Sequence, residues 1–302
     1  MKHSIKLILA CLLFLSACKG ASQQEEGLII VCTTGIIADC ISEIVEDKAT
    51  VISLMGPGVD PHLYKASQGD LIKLSKADIV IYNGLHLEGK MGHVLDNAAQ
   101  NKEVIAVGDF ANPEDLKEVG NESTLRDPHI WFNPELWMFC MAGVVEELQL
   151  IPGLEGINVR FEEYQEEVLA MHQSMQKLLD NELDRSKRIL ITSHDAFSYF
   201  GDAYYFEVRG LQGISTAAEF GIKDVTDLID FVIERELKAL FIETSVSDRN
   251  LKAVVEGAEA RGYSVELGGA LYSDALGNAE GSAGSYIGMI KTNIETILQG
   301  LK

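Results

Sequence analysis

Phe161, Tyr164, Val168, Met171, Met175 and Leu178 stand 3, 4, 3, 4 and 3 residues apart, with acidic residues between them. That period belongs to an amphipathic helix and predicts one from about residue 158 to residue 183. At 1.5 Å per residue such a rod is roughly 40 Å long, the width of a domain or more. It divides the chain into two parts and has to connect them. His172 adjoins the apolar stripe, where a surface or boundary position is expected.

On both sides of the rod, short apolar runs alternate with helical periodicity. Before it, Leu28 to Thr33, Thr50 to Met55, Ala77 to Tyr82 and Glu103 to Val107 read as strands. Gly35 to Glu46, Gly69 to Lys76 and Pro134 to Leu148 read as helices, the last with proline at its start. Residues 111–126 read as an acidic, irregular loop. After the rod, Arg188 to Thr192, Ala239 to Ile242 and Tyr263 to Leu267 are predicted strands. Asp195 to Tyr204, Val225 to Glu236, Leu251 to Arg261 and Ser285 to Leu301 are predicted helices. Continuous apolar strands between helices indicate mainly parallel sheets covered on both faces. The expected fold is α/β, with lobes at 28–156 and 187–302 joined by a linking helix at 157–186.

The first 27 residues have a different character. Lys2 and Lys6 precede an apolar run from Leu7 to Leu15, and Leu15-Ser16-Ala17-Cys18 follows. That order marks residues 1–17 as an export signal, and the run is too short to span a bilayer. A cysteine directly after Leu-Ser-Ala resembles a bacterial lipobox, which makes Cys18 the expected lipidation site and residues 18–27 a polar tether. No later apolar run approaches spanning length, so the rest is expected on the outer side of a membrane, in the periplasm or outside the cell. The formal charge of −21 repels nucleic acid and suits a cationic ligand. Cys32, Cys40 and Cys140 lie in or beside apolar runs without zinc-knuckle spacing, so buried free thiols are expected.

Only six prolines and seven histidines occur, yet two of each fall inside an Asp-Pro-His triplet, Asp60-Pro61-His62 and Asp127-Pro128-His129. Proline fixes its own φ and drives the preceding residue out of the α region, so each imidazole follows a stiff corner. Stiff corners hold a ligand at small entropic cost. His194 stands at the carboxyl end of a predicted strand, and Asp274 sits in a Gly-rich loop after another. Ligands of open α/β sheets lie beyond strand carboxyl ends. His62, His129, His194 and Asp274 thus make a candidate set for a first-row divalent cation, two from each lobe.

Two neighbouring features bear on this. Gly84-Leu-His-Leu-Glu-Gly89-Lys90 has the spacing of a phosphate loop, but Met91 cannot supply the hydroxyl that holds magnesium. Its bulky residues also deny phosphate a bare backbone cradle, so nucleotide binding is not expected. His86 and His93 there are expected at the surface or behind the ligands, and Glu243 at a strand end is a candidate acceptor for a ligand histidine.

The motifs Gly56 to Tyr64, Asn83-Gly-Leu-His-Leu-Glu88, Asp127 to Trp131, Ser193 to Phe200, Gly210 to Thr216 and Leu271 to Gly277 together resemble the TroA type of zinc- and manganese-binding lipoproteins. These are the extracytoplasmic receptors of metal ABC importers. The resemblance covers nearly all of the chain after the signal. It implies two lobes bridged by one long helix, a metal site in the cleft between them, and ligands at His62, His129, His194 and Asp274. It also implies a monomeric, lipid-anchored protein with small motion on binding, whose partners are a permease and its ATPase subunit. Histidine at position 194 and a nitrogen-rich set favour zinc. The absence of histidine from residues 111–126 leaves manganese next and iron after it. The competing readings are a zinc hydrolase, against which no His-Glu-x-x-His helix occurs, and a surface adhesin whose binding does not depend on metal.

Overall fold

The computed structural model describes residues 27–120, 122–218 and 221–302. The export signal and Cys18 lie outside the described residues. Two four-stranded parallel sheets carry the fold. The first contains β1 (Leu28–Cys32), β2 (Ala49–Ser53), β3 (Ile79–Tyr82) and β4 (Glu103–Ala106), in the order β2-β1-β3-β4. A small antiparallel hairpin, β5 (Glu118–Val119) and β6 (Glu122–Arg126), follows. The second sheet contains β7 (Ile189–His194), β8 (Glu207–Gln212), β9 (Ala239–Glu243) and β10 (Glu266–Leu271), in the order β10-β9-β7-β8. In each sheet the first strand has the second on one side and the third on the other. Each therefore has a point where the strand order reverses, which is where ligands of such sheets bind.

The helices are α1 (Gly35–Val45), α2 (Gln68–Lys76), α3 (Gly92–Ala99), α4 (Pro134–Leu148), α5 (Ile157–Glu182), α6 (Ser198–Tyr204), α7 (Ile222–Glu234), α8 (Arg249–Ala260) and α9 (Tyr286–Leu301). Their starts are chemically marked. Ser67 and Asp70 form a reciprocal capping box on α2. Asn133 accepts from the amides of Glu135 and Leu136 ahead of Pro134 on α4.

Strand residues alternate between two cores, as the pleat demands. Ile30, Cys32, Ile79 and Ile81 of the first sheet, and Leu190, Ala239 and Phe241 of the second, face one shared core. Val31 and Val80 turn the other way, into a layer closed by Leu74 of α2 and Leu95 of α3. Ile189, Ile191 and Leu240 turn outward onto α7 and α8. The long helix α5 runs through the shared core with Phe161, Tyr164, Val168, Met171, Met175 and Leu179 buried. It joins the two sheets by packing as well as by chain.

Several expectations change. His172 is not a boundary residue: it is buried and its Nδ1 lies 3.0 Å from the Tyr204 hydroxyl, which supplies the polar partner. Leu178 is only half buried, and Leu179 takes its place on the stripe. Residues 111–126 are not wholly irregular, because β5 and β6 pair within them. Helix α3 and strand β8 come in addition. β8 alternates as Glu-Val-Arg-Gly-Leu-Gln at a sheet edge, so it lacks the apolar run of a central strand. β10 starts and ends later than expected because it passes through Gly268 and Gly269, which resemble a loop in sequence. The register against β9 slips there. Cys32, Cys40 and Cys140 are free and buried, and burial pushes the Cys140 thiol up to about 12. Among the described residues, no helix is long and apolar enough to cross a membrane.

Candidate metal centre

The two Asp-Pro-His corners have the same construction. Asp60 Oδ1 accepts from the His62 amide at 2.9 Å, and Asp127 Oδ1 accepts from the His129 amide at 3.0 Å. Each aspartate thereby closes a turn over its own proline and aims the histidine two residues on. Before the first corner, Gly58 has φ +69, and a Cβ there would lie 3.4 Å from the carbonyl of Thr244, the residue after β9 of the second sheet. Glycine serves both the turn and the close approach. His194 ends β7, and Asp274 follows β10 by three residues.

These placements bring all four side chains together. One donor atom from each of His62, His129, His194 and Asp274 lies within 4.8 Å of the others, and all four residues are buried. His129 Nε2 is 3.3 Å from His62 Nε2 and 3.3 Å from His194 Nε2. Asp274 Oδ1 is 3.4 Å from His129 Nε2, and Asp274 Oδ2 is 3.4 Å from His194 Nε2. A tetrahedron with arms of about 2.0–2.1 Å has edges of about 3.3–3.4 Å, and these four separations are of that size, with all four donors inside 4.8 Å of one another. Asp274 presents one oxygen to each of two imidazoles and can engage with one arm or both.

The far side of two rings is also occupied. His129 Nδ1 lies 2.7 Å from Asp127 Oδ1, and His194 Nδ1 lies 2.6 Å from Glu243 Oε2. Glu243 Oε1 also accepts from the His194 amide at 2.8 Å. With Nδ1–H donating to a carboxylate, Nε2 is the ring nitrogen left facing inward, and it offers its lone pair once a metal displaces its proton. Glu243, a candidate acceptor from sequence, thus lies against His194 Nδ1. Asp127 is a partner that sequence reasoning missed, although it recurs in the same triplet as Asp60.

The electrostatics follow from this packing. Burial opposes charge on His129, but Asp127 and Asp274 outweigh it and raise the ring to about 9. Burial likewise opposes charge on His194, and Glu243 and Asp274 raise it well above the usual imidazole value. For His62 burial dominates and lowers it to about 3. Burial opposes ionisation of Asp274, yet His194 and His129 hold its carboxyl well below the usual range. Neither Asp274 oxygen receives a hydrogen bond, although the residue is 1 % exposed. Without metal its charge is offset by the two imidazoles 3.4 Å away, and a bound cation would take over from their protons.

Other candidates fall outside the cluster. His86 and His93 are exposed. In the glycine-flanked loop, the Asn83 and Gly84 amides donate to Glu88 at 2.8 and 3.3 Å, so an internal carboxylate takes the donors a phosphate would use. Behind the site, Trp131 Nε1 donates to the Ser273 carbonyl at 3.0 Å, and the Tyr286 hydroxyl donates to the Trp131 carbonyl at 2.8 Å. These bonds tie the His129 segment to the Asp274 segment.

Residues 30–300 match the family of the periplasmic zinc-uptake complex component A, ZnuA. This chain belongs to the ZnuA family. Its relatives within that family include the manganese-binding lipoprotein MntA of Bacillus subtilis strain 168, 43 % identical over 95 % of this chain and 93 % of the relative. The zinc-binding protein TroA of Treponema pallidum is 41 % identical over 90 % of this chain and 88 % of its own length. The solved structure of periplasmic TroA from the same organism superposes with a TM-score of 0.87, covering 91 % of this chain and 99 % of that one. The resemblance read from the motifs is upheld, and so is the α/β fold with two parallel sheets. ZnuA-family proteins of this kind are solute-binding components of metal ABC importers, a transport role and not an enzymatic one.

Proposed function

We propose that this chain captures a divalent transition-metal ion outside the cytoplasm through His62, His129, His194 and Asp274 and hands it to an ABC permease. The observation that carries the reading is the buried Asp274 carboxylate, without a hydrogen bond and facing the Nε2 atoms of His129 and His194 at 3.4 Å. We assign zinc as the favoured cargo and manganese as the next, with iron behind. Three nitrogen donors favour zinc over manganese. The named relatives divide between the two metals.

The ion is cargo and not a catalyst. Four protein groups occupy the shell, and His62, the most exposed of them, is 4 % accessible. A substrate-activating water has no free place, so metal-loaded protein should not turn over ester or peptide substrates. We assign residues 1–17 to the export signal, Cys18 to the lipid anchor, and residues 28–156 and 187–302 to the lobes on either side of the linking segment 157–186.

Elemental analysis of the purified mature chain, followed by zinc-against-manganese competition, tests the assignment. One tightly held ion per chain is expected, with zinc displacing manganese. His129→Ala should weaken binding at least about a hundredfold while the far-ultraviolet circular dichroism keeps its α/β shape. A His129→Ala protein that binds like the wild type would refute the ligand set.

A further inference from the structure

The four donors are not equally enclosed. His129 and His194 are 0 % exposed, Asp274 is 1 % and His62 is 4 %. Behind them Trp131, Tyr199 and Tyr286 are buried, and their hydrogen bonds fasten the lobes together there. Tyr199 donates to the Asp127 carbonyl at 3.2 Å, and the Tyr286 amide donates to Asp39 Oδ2 at 2.7 Å. The shared core with α5 closes the same side. An ion cannot leave in that direction without unpacking the protein. The way out is past His62.

A side-chain contact joins the lobes beside His62. Thr216 Oγ1 donates to Asp60 Oδ2 at 2.6 Å. The other oxygen of that carboxylate accepts from the His62 amide at 2.9 Å. One carboxylate thus shapes the turn that presents His62 and ties that turn to the opposite lobe. Thr216 stands four residues beyond Gln212, the β8 residue paired with His194. Both Asp60 and Thr216 are only partly buried, whereas the Tyr199–Asp127 bond behind the site is buried.

We propose that the Asp60–Thr216 hydrogen bond closes the mouth of the site and sets the rate at which the ion leaves. It rests on the metal-capture reading above. With Thr216 in place, the turn that carries His62 cannot draw back from the opposite lobe without breaking a bond to a carboxylate, so dissociation is slow. The approach of a hydrated ion to an open mouth does not depend on that bond, so association is unaffected. Threonine's part is positional: it holds Asp60, and Asp60 holds His62.

The experiment is stopped-flow release of zinc from the loaded mature chain into excess chelator, with association measured separately. Thr216→Val keeps the shape and removes the donor. Release should be on the order of tenfold to a hundredfold faster, the worth of one hydrogen bond to a charged acceptor, with association within about threefold of wild type. Thr216→Ser restores a hydroxyl and should return release to near the wild-type rate. A purely structural defect would slow association too and would not be rescued. If Thr216→Val binds zinc and releases it at the wild-type rate, or if Thr216→Ser releases as fast as Thr216→Val, the proposed closure is wrong while metal capture stands. If the wild-type chain takes up no zinc or manganese, both fall together.

Discussion

Metal uptake should be a proton exchange, and the size of the exchange can be worked from the site. Without metal, the charges of Asp127 and Asp274 keep a proton on His129 up to about pH 9. Glu243 and Asp274 keep one on His194 well above the usual imidazole range. His62, at about 3, holds none at neutral pH. An ion bound at pH 7 therefore displaces close to two protons, although ordinary imidazoles would give competition only below about pH 6.5. A group titrating near 9 lowers the apparent affinity at pH 7 by about a hundredfold, roughly 2.7 kcal/mol, and the second imidazole adds to that. Apparent affinity should rise by about tenfold to a hundredfold per pH unit between pH 6.5 and 8.5.

The stability sign follows. His129 has a folded pKa above its unfolded value, so its contribution to the metal-free fold is fully present below about pH 6.5 and is lost as pH rises through about 9. Tm of the metal-free chain should drift down across that window while the loaded chain holds, so the gain on loading grows with pH. Calorimetric titration in buffers of differing ionisation enthalpy counts the protons, and chelator competition gives the affinity. Release of less than about half a proton, with affinity flat from pH 6.5 to 8.5, would refute the reasoning.

Two further outcomes are expected. Glu243→Gln leaves the His194 amide an acceptor but removes the charge beside Nδ1, so zinc affinity should fall about 10- to 100-fold at pH 8, read by chelator competition. Proton release at pH 7 should drop toward one in the same variant. Leu179→Ala empties a fully buried position on α5 in the core common to both sheets. Urea unfolding should show about 2–5 kcal/mol of destabilisation in a single transition, and two separate transitions would mean that the lobes do not share a core.

The features legible in sequence are those with a strong period or a rigid local geometry. The α5 stripe could be read because its apolar residues repeat at helical spacing, and β1, β3, β7 and β9 because buried parallel strands are continuously apolar. The four clustered residues were legible because proline stiffens two of them and strand ends position the others. What escaped depends on partners distant in sequence. Nothing around His172 announces Tyr204, 32 residues away, as its partner. Asp127 looks like a turn former, and it is one, but its second function toward His129 Nδ1 appears only when the ring folds back on it. Strand β8 and the β5–β6 hairpin lie at edges, where a continuous apolar run is missing and pairing is decided by the neighbouring strand.

The two sheets have the same strand order, and each carries a buried acid beside its reversal point, but the acids do different work. In the second sheet Glu243 ends β9, next to β7, and reaches the ligand His194 directly. In the first, Glu88 follows β3, next to β1, and accepts from the Thr33 hydroxyl at 2.6 Å and from the Asn83 amide at 2.8 Å. No ligand histidine ends β1 or β3; His62 comes from the loop after β2 and His129 from the segment after β6. Glu88 instead fixes Asn83, whose Nδ2 donates at 3.0 Å to the Pro128 carbonyl just before His129. The first lobe thus steadies its ligands at one remove, through a loop held from inside. The second holds its histidine at the strand end itself. His62 in turn is held through Asp60, which shapes its turn and reaches Thr216 across the site.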